Sequence, residues 1–227
     1  MAELCAGHVD VPDGVVSISY AAFNYSASGS GLTSVTIPSS VTQLTGGSVW
    51  QTAFSQISGL TSITVASGNQ NYSSSDDGVL FDKLKTTLLQ YPVGKTATTY
   101  TIPSSVTSIG PMAFFGATSL TSMTIPDTVT SIGYNAFSGA TSLESVYFQG
   151  NAPATNSYAF YGVAADATAY RLLPGATGFY SCDLVWNSLL LVGEPGCPMS
   201  VVVARADRQL VVSWNAPVGD GGAGITS

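Results

Sequence analysis

The chain contains few side chains that could carry out acid–base or nucleophilic chemistry. It has a single histidine, His8, so any Ser-His-Asp arrangement would have to use that residue. His8 lies in the short sequence Gly-His-Val-Asp near the start of the chain, where a capping or surface role is the simpler interpretation. The acids Asp127, Glu144 and Asp166 are too sparse to place two carboxylates across a groove, as glycoside hydrolysis requires. We therefore predict a protein without catalytic residues.

The residue types that bind metals do not form a recognisable ligand set either. The three cysteines, Cys5, Cys182 and Cys197, are too few for a disulfide scaffold and lack the spacing of zinc ligands. A Cys182–Cys197 bridge in an oxidising compartment and three buried thiols both remain open. The adjacent acids Asp76 and Asp77 fall well short of the roughly six oxygens that Ca²⁺ takes, which favours a turn. We predict neither a metal nor a cofactor.

The charge distribution argues against nucleic acid and anionic lipid as partners. Hydrophobic residues make up 45% of the chain and charged residues 8%, and no basic residue lies before position 83 or between positions 96 and 170. With a net charge of −7 and no basic cluster, the chain lacks the attraction that drives binding to nucleic acid or anionic lipid. No apolar run approaches the roughly 20 residues of a membrane span. We therefore expect no nucleic-acid partner and no membrane insertion of this segment.

The elements that would position any functional side chain repeat along the sequence. Phenylalanine recurs at positions 23, 54, 114, 137 and 160, and the last three are spaced by 23 residues. A fixed period of this length indicates a solenoid, because one such unit cannot bury its apolar face alone and must stack on its neighbours. The longer intervals contain insertions. We predict about six coils of 23 residues that are predominantly β.

Within each unit, apolar residues alternate with serine and threonine. Strand geometry sends alternate side chains to opposite faces, so we expect Leu120, Met123 and Ile125 to face the core while Ser122 and Thr124 face outward. Pro126 lacks a backbone donor and ends the strand. Stacking the units then aligns the outward residues into one polar ladder. The ladder residues are Ser34, Thr36, Ser62, Thr64, Thr101, Ser122, Thr124, Ser145 and Tyr147.

One unit is interrupted between about residues 69 and 95. Residues 77–82 and 87–91 form two short β-type runs joined by residues 83–86. This pattern predicts a β-hairpin that projects from the solenoid, with Lys83 and Lys85 at its tip. Protruding elements often contact partners, so these two lysines are a second candidate binding site.

The repeat resembles a known protein family. The pattern Leu-Thr-Ser-Xaa-Thr-Ile-Pro-Xaa-Xaa-Val-Thr-Ser-Ile-Gly-Xaa-Xaa-Ala-Phe is similar to that of the BspA-like leucine-rich repeats of bacterial and some protozoan surfaces. The interrupted unit, from Asn71 to Tyr91, is similar to a hairpin insertion common in that family. Ala117 and Ala140 stand where many relatives have cysteine. The resemblance covers about residues 8–180 and implies a leucine-rich-repeat solenoid with short parallel strands on one face, within a BspA-like domain at 1–194.

The character of the sequence changes at about residue 195. Residues 195–204, 209–217 and 219–227 resemble the start of a fibronectin type III domain, of which only the first two strands are present, with Trp214 as its core tryptophan. A complete sandwich takes about 100 residues, so residues 195–227 would be a truncated fibronectin type III domain that forms only part of a β-sandwich.

Three functional hypotheses follow. The resemblance implies a secreted or cell-surface bacterial protein, and the first hypothesis is an adhesion module that recognises an extracellular protein or glycan through the ladder or the hairpin. In the second, the solenoid is a spacer in a larger secreted protein whose activity lies elsewhere. The third, an ice-binding face suggested by the threonine rows, is the weakest, because the repeat pattern already accounts for those rows.

Overall fold

The computed structural model describes residues 7–19, 22–23, 31–45, 53–54, 57–155, 158–172, 177, 185–186, 189–192, 202–206 and 209–213. Within these ranges the chain forms strands and no helix. In chain order the strands are β1 (Gly7–Asp10), β2 (Ser17–Ser19), β3 (Leu32–Ile37), β4 (Gln43–Thr45), β5 (Ser62–Val65), β6 (Tyr72–Ser74), β7 (Leu80–Asp82), β8 (Thr87–Gln90), β9 (Thr99–Thr101), β10 (Ser108–Ile109), β11 (Ser122–Ile125), β12 (Ser131–Ile132), β13 (Ser145–Phe148), β14 (Ala154–Thr155), β15 (Thr168–Arg171), β16 (Val185–Trp186), β17 (Leu189–Val192), β18 (Val202–Ala206) and β19 (Gln209–Ser213). All three cysteines lie outside the described residues.

The longer strands of successive coils stack into two sheets. The first ladder sheet contains β1, β3 and β5, and the second contains β9, β11, β13, β15 and β17, with β16 added antiparallel at its end. Equivalent residues of neighbouring coils pair directly, as Ser122 does with Ser145. The offset between them is the period of the sequence, so each coil advances the fold by one strand, about 4.8 Å. The predicted solenoid of about six coils is confirmed.

The alternation of buried and outward residues in these strands is confirmed as well. In β11, Met123 and Ile125 are buried. Ser122 and Thr124, which alternate with them along the strand, are only partly covered. In β3, Val35 and Ile37 are fully buried. The apolar half of each strand therefore faces the core.

Shorter strands form the second side of the solenoid, and the inserted hairpin is part of it. A six-stranded sheet has the order β14, β12, β10, β8, β7, β6, in which β6, β7 and β8 pair antiparallel. The hairpin of β7 and β8 is as expected, but the prediction that it projects from the solenoid is wrong. Leu80 and Phe81 of β7 and Leu88 of β8 are fully buried. The apolar side chains of both strands therefore pack in the core.

Strand β7 also joins the two halves of the core. Leu80 packs in the apolar cluster of the first coils, which includes Phe54 and Ile63. The next residue, Phe81, packs in the cluster of the later coils. Because neighbouring residues of a strand point to opposite faces, one short strand closes the interface between the two stacks.

A row of stacked aromatic rings runs through the core. Phe114, Phe137 and Phe160 are fully buried, with ring centroids 4.9 and 4.7 Å apart and nearly parallel planes. Tyr91 takes the same position in the interrupted unit and stacks 5.1 Å from Phe114. The 23-residue recurrence of phenylalanine is therefore a recurrence of one core site, coil after coil.

The third side of each coil is a turn segment rather than a strand. These segments are residues 111–118, 134–141 and 158–165, and we call the surface that they form the turn face. Its backbone is bonded from coil to coil, since Phe114 N donates to Ala136 O at 2.7 Å and Phe137 N donates to Ala159 O at 2.8 Å. An ideal Cβ at Gly133 would lie 2.5 Å from Pro111 N. Only glycine allows this approach of two backbones.

Side-chain hydrogen bonds also tie successive coils together. Threonine hydroxyls donate to carbonyls of the preceding coil, as Thr121 Oγ1 does to Thr98 O at 3.1 Å. The buried amide of Asn69 donates to Pro38 O and Val41 O and accepts from the backbone amides of residues 71 and 72. These bonds satisfy backbone groups at corners where no strand partner is present.

At the C-terminal end of the chain, β18 and β19 pair antiparallel, with Val203 opposite Val212. The two strands lie where the sequence predicted the first two strands of a fibronectin type III domain. Trp214 lies outside the described residues, so the truncated domain at 195–227 stays a prediction.

Candidate binding surface

The outward side chains of the first ladder sheet form two short polar rows. One row is His8, Ser34 and Ser62, and the other is Asp10, Thr36 and Thr64. The pairing of Ser34 with Ser62 and of Thr36 with Thr64 agrees with the predicted alignment. His8 and Asp10 extend both rows by one strand. The alternation of His8 and Asp10 with Val9 in the sequence could have predicted that both side chains face outward.

Hydrogen bonds connect the side chains at the β1 end of these rows. His8 Nδ1 lies 2.8 Å from Ser34 Oγ, and Nε2 lies 2.9 Å from an Asp10 carboxylate oxygen. The bond with His8, followed by one from Thr36, lowers the pKa of Asp10. The order Ser-His-Asp is present, but the His8 and Asp10 side chains are 49% and 75% exposed, whereas a catalytic triad buries its aspartate to orient the imidazole. The group therefore forms a polar edge of the ladder.

The second ladder sheet continues the pattern with two longer rows. One row is Thr99, Ser122, Ser145 and Thr168, and the other is Thr101, Thr124, Tyr147 and Tyr170. We call the outward residues of both sheets together the ladder face. None of them is buried, and most are partly covered.

Two tyrosines end one of these rows. The rings of Tyr147 and Tyr170 stack with centroids 4.8 Å apart and planes 18° apart. Tyr147 was among the predicted ladder residues, but Tyr170 and Thr168 were not. They lie 23 residues after Tyr147 and Ser145, so the period itself could have identified them. The stacked pair gives an otherwise hydroxyl-rich surface a flat aromatic end.

The ladder is not continuous, contrary to the expectation from stacking the units. β5 and β9 belong to different sheets, because residues 66–98 between them include the inserted strands. Beside β5, Ile63 N instead donates to Gly78 O at 2.9 Å. The ion pair between Lys95 and Asp77, with Nζ 3.5 Å from Oδ2, lies in this inserted region. The ladder face is therefore two sets of rows with an interruption.

Tyr100 lies on β9 but does not join the ladder face. It is opposite Met123 in the register, and its ring packs 5.1 Å from Tyr91 and 5.8 Å from Phe114. Burial, followed by the charge of Asp77, raises its pKa. The position of Tyr100 in the alternation, opposite the buried Met123, therefore turns its ring toward the core.

The two candidate lysines occupy the turn between β7 and β8, as predicted, but this turn belongs to the second side of the solenoid. Lys83 Nζ donates to the backbone carbonyls of Asn69 and Ser67. Lys85 adopts a left-handed backbone with φ of 56°. Between them Leu84 is 78% exposed. The hairpin tip therefore presents the exposed Leu84 beside Lys83, whose ammonium group is hydrogen-bonded to the backbone. The strands of the hairpin do not pair with a strand of either ladder sheet.

In the part of the chain that the structure describes, no group of three His, Cys, Asp or Glu side chains is arranged to hold a metal ion. No helix in that part has the length and hydropathy needed to cross a membrane.

Several solved structures of bacterial proteins are similar to this chain. They include a leucine-rich repeat protein from Eubacterium ventriosum (26% identity, TM-score 0.49, covering 75% of this chain and 51% of that one). The pneumococcal vaccine antigen PcpA is 20% identical with a TM-score of 0.50, covering 73% and 50%. A leucine rich cell surface protein from Faecalibacterium prausnitzii is 21% identical with a TM-score of 0.48, covering 84% and 60%. The chain spans about half the length of the first two. No curated protein sequence matches the chain.

A family match agrees with the coil pattern. The BspA type leucine rich repeat region matches in six copies over residues 4–77 and 93–166, which is more than half of the chain. The unmatched residues between these stretches contain β7 and β8, the hairpin that interrupts the repeat. The repeat, the stacked coils and the interruption are thus accounted for together, and the chain belongs to the BspA-type leucine-rich repeat family.

Proposed function

We propose that this chain is a non-catalytic, extracellular adhesion module of a bacterial protein, secreted or held at the cell surface. It attaches to a protein or glycan partner through the ladder face. Family membership supports a binding role, because repeat solenoids present extended surfaces to their partners.

The observation that carries the proposal is the composition of the second ladder sheet. Its two rows contain hydroxyl side chains that end in the stacked Tyr147–Tyr170 pair. No charged side chain lies in these rows, so a partner need not displace strongly bound water from ions. Across four strands the rows extend about 14 Å at about 4.8 Å per strand, a suitable width for an extended peptide or an oligosaccharide.

The proposal is tested with the 227-residue chain against immobilised extracellular matrix proteins and a glycan array. In one variant Thr36, Thr64 and Thr124 on the ladder face are changed to Lys. The matched control changes the exposed Thr42, Thr107 and Thr130 on the second side to Lys, which alters the net charge equally. Because these three hydroxyls donate to carbonyls of the preceding coil, both variants are first shown to be folded by circular dichroism. Saturable binding that is lost in the first variant and kept in the control supports the ladder face. Equal binding by both variants refutes it.

The alternative function is a structural spacer in a larger secreted protein. The observation in its favour is that the described chain continues past the solenoid into the pair β18 and β19, as a module within a longer array would. A folded wild-type chain that binds none of the probes supports the spacer over adhesion.

A further inference from the structure

Three tyrosines form a cluster on the turn face, which is a different side of the solenoid from the ladder face. The rings of Tyr134 and Tyr158 meet nearly edge to face with centroids 5.8 Å apart, and those of Tyr158 and Tyr161 do so at 6.2 Å. Edge-to-face contact leaves ring faces turned in different directions. The cluster therefore presents aromatic walls at a steep angle to one another.

Two tyrosines of the cluster are exposed, and the third, Tyr134, is partly covered. Tyr158 is 50% exposed and Tyr161 is 64% exposed. The equivalent positions one coil earlier hold Asn135 and Ser138. The repeat pattern therefore does not require tyrosine here, because the same backbone positions accept small polar residues.

The turn face itself contains no charged residue. Residues 111–118, 134–141 and 158–165, which form the turn face, include no Asp, Glu, Lys or Arg. Anionic or cationic ligands are recognised by charged partners, so this surface suits a neutral ligand.

The size of the cluster favours a small ligand over a folded protein. A whole aromatic side chain presents about 150–250 Å², so the exposed parts of Tyr158 and Tyr161 add up to roughly 200 Å². A stable protein interface covers about 800 Å² on each partner. One or two pyranose rings, by contrast, have the dimensions of such a patch.

We propose that Tyr134, Tyr158 and Tyr161 form a binding site for a neutral saccharide. The C–H face of a pyranose ring is slightly positive and packs on the negative face of an aromatic ring. The angled tyrosine rings contact two faces of the sugar. This site is independent of the ladder face and of its partner.

The test uses the 227-residue chain on an array of neutral glucose, galactose, mannose and N-acetylhexosamine oligosaccharides, with sialylated and sulfated counterparts. Neutral oligosaccharides that bind are then titrated by calorimetry. The variants are Tyr158→Ala with Tyr161→Ala, the single Tyr161→Ala, and Tyr161→Phe, which keeps the ring. The ladder variant with Thr36, Thr64 and Thr124 changed to Lys serves as the control for the other face.

A neutral oligosaccharide is expected to bind the wild type and the ladder variant alike. Its Kd should rise at least about tenfold in the double variant and remain within about threefold in Tyr161→Phe. Because Tyr161 is largely exposed, the single alanine variant keeps the test valid if the double variant is unfolded by circular dichroism. Absence of any neutral glycan binding, or an unchanged Kd in a folded alanine variant, overturns the proposal. Loss of a matrix-protein interaction in these variants, without a glycan effect, assigns the patch to a protein and also overturns it.

Discussion

Replacing Phe137 with alanine tests whether the stacked aromatic row holds the coils together. The ring is fully buried and lies between Phe114 at 4.9 Å and Phe160 at 4.7 Å. Truncation of a buried phenylalanine costs about 3–5 kcal/mol, of which two aromatic contacts account for about 0.5–1.5 kcal/mol each. We therefore expect the free energy of unfolding to fall by about 4 kcal/mol.

The effect should extend to the neighbouring coils. In a solenoid the stability is a sum of coil terms and interfaces between adjacent coils, and Phe137 contributes to the interfaces on both of its sides. Urea denaturation followed by circular dichroism measures the global loss. Amide hydrogen exchange should show the largest loss of protection in β11, β13 and the turn segments beside them.

The matched control is Phe115→Ala, in the turn segment of the preceding coil. Phe115 is only partly buried and lies outside the stacked row, so its loss should cost less than about 1.5 kcal/mol. The reasoning is refuted if Phe137→Ala costs no more than Phe115→Ala, or if its loss of protection does not reach the adjacent coils.

Three further predictions concern the backbone corners and one buried phenol. Gly133→Ala should lower the free energy of unfolding, measured by urea denaturation, by about 1–3 kcal/mol, because its Cβ would meet the backbone of Pro111. The control is Gly68→Ala, whose Cβ would lie 3.4 Å from the nearest atom and whose effect should be near neutral. Asn69→Ala should lower the free energy of unfolding by at least about 2 kcal/mol in the same assay, since it leaves two buried carbonyls and two backbone amides without their side-chain partner. A decrease of less than about 0.5 kcal/mol would contradict that role. Burial raises the pKa of Tyr91 to about 12, so the stability that it contributes is present below the ordinary tyrosine pKa of about 10 and is lost as the pH rises toward about 12. Tyr91→Phe should therefore reduce the fall in melting temperature between these pH values, and an unchanged alkaline profile would show that another group causes the fall.

The inserted hairpin interrupts the ladder and also packs in both core clusters. Residues 66–98 break the hydrogen bonding between β5 and β9, yet β7 places Leu80 in one core cluster and Phe81 in the other. The Lys95–Asp77 ion pair and the Gly94 N to Leu60 O bond cross the same region. The buried hairpin therefore connects the two parts of the core at the point where the ladder sheets do not pair.

Much of the fold could be predicted from the sequence because the repeat is a local and periodic signal. The recurrence of Phe114, Phe137 and Phe160 indicated the coils, and the alternation around Met123 indicated which side chains are buried. The pairing of Ser122 with Ser145 followed from the period alone. Tyr170 could have been found by the same reasoning, since it lies one period after Tyr147.

The candidate site depended more on tertiary structure. Whether the rows of Thr64 and Thr101 join was decided by the chain between them, which has no repeat to predict its path. The hairpin pattern was recognised, but its burial was not, because alternation shows that two strands pair and not what covers their apolar side chains.

The sequence by itself therefore determined the period, the stacked coils, the outward hydroxyl rows and the scarcity of charge. Only the tertiary structure decided that the ladder is interrupted, that Lys83 is bonded to backbone carbonyls, and that Tyr134, Tyr158 and Tyr161 meet on the turn face. The physical reason is the range of the interactions. Contacts repeated at a fixed offset are encoded in each unit, whereas contacts between an insertion and the coils, or between single variable positions of adjacent coils, exist only after the chain has stacked.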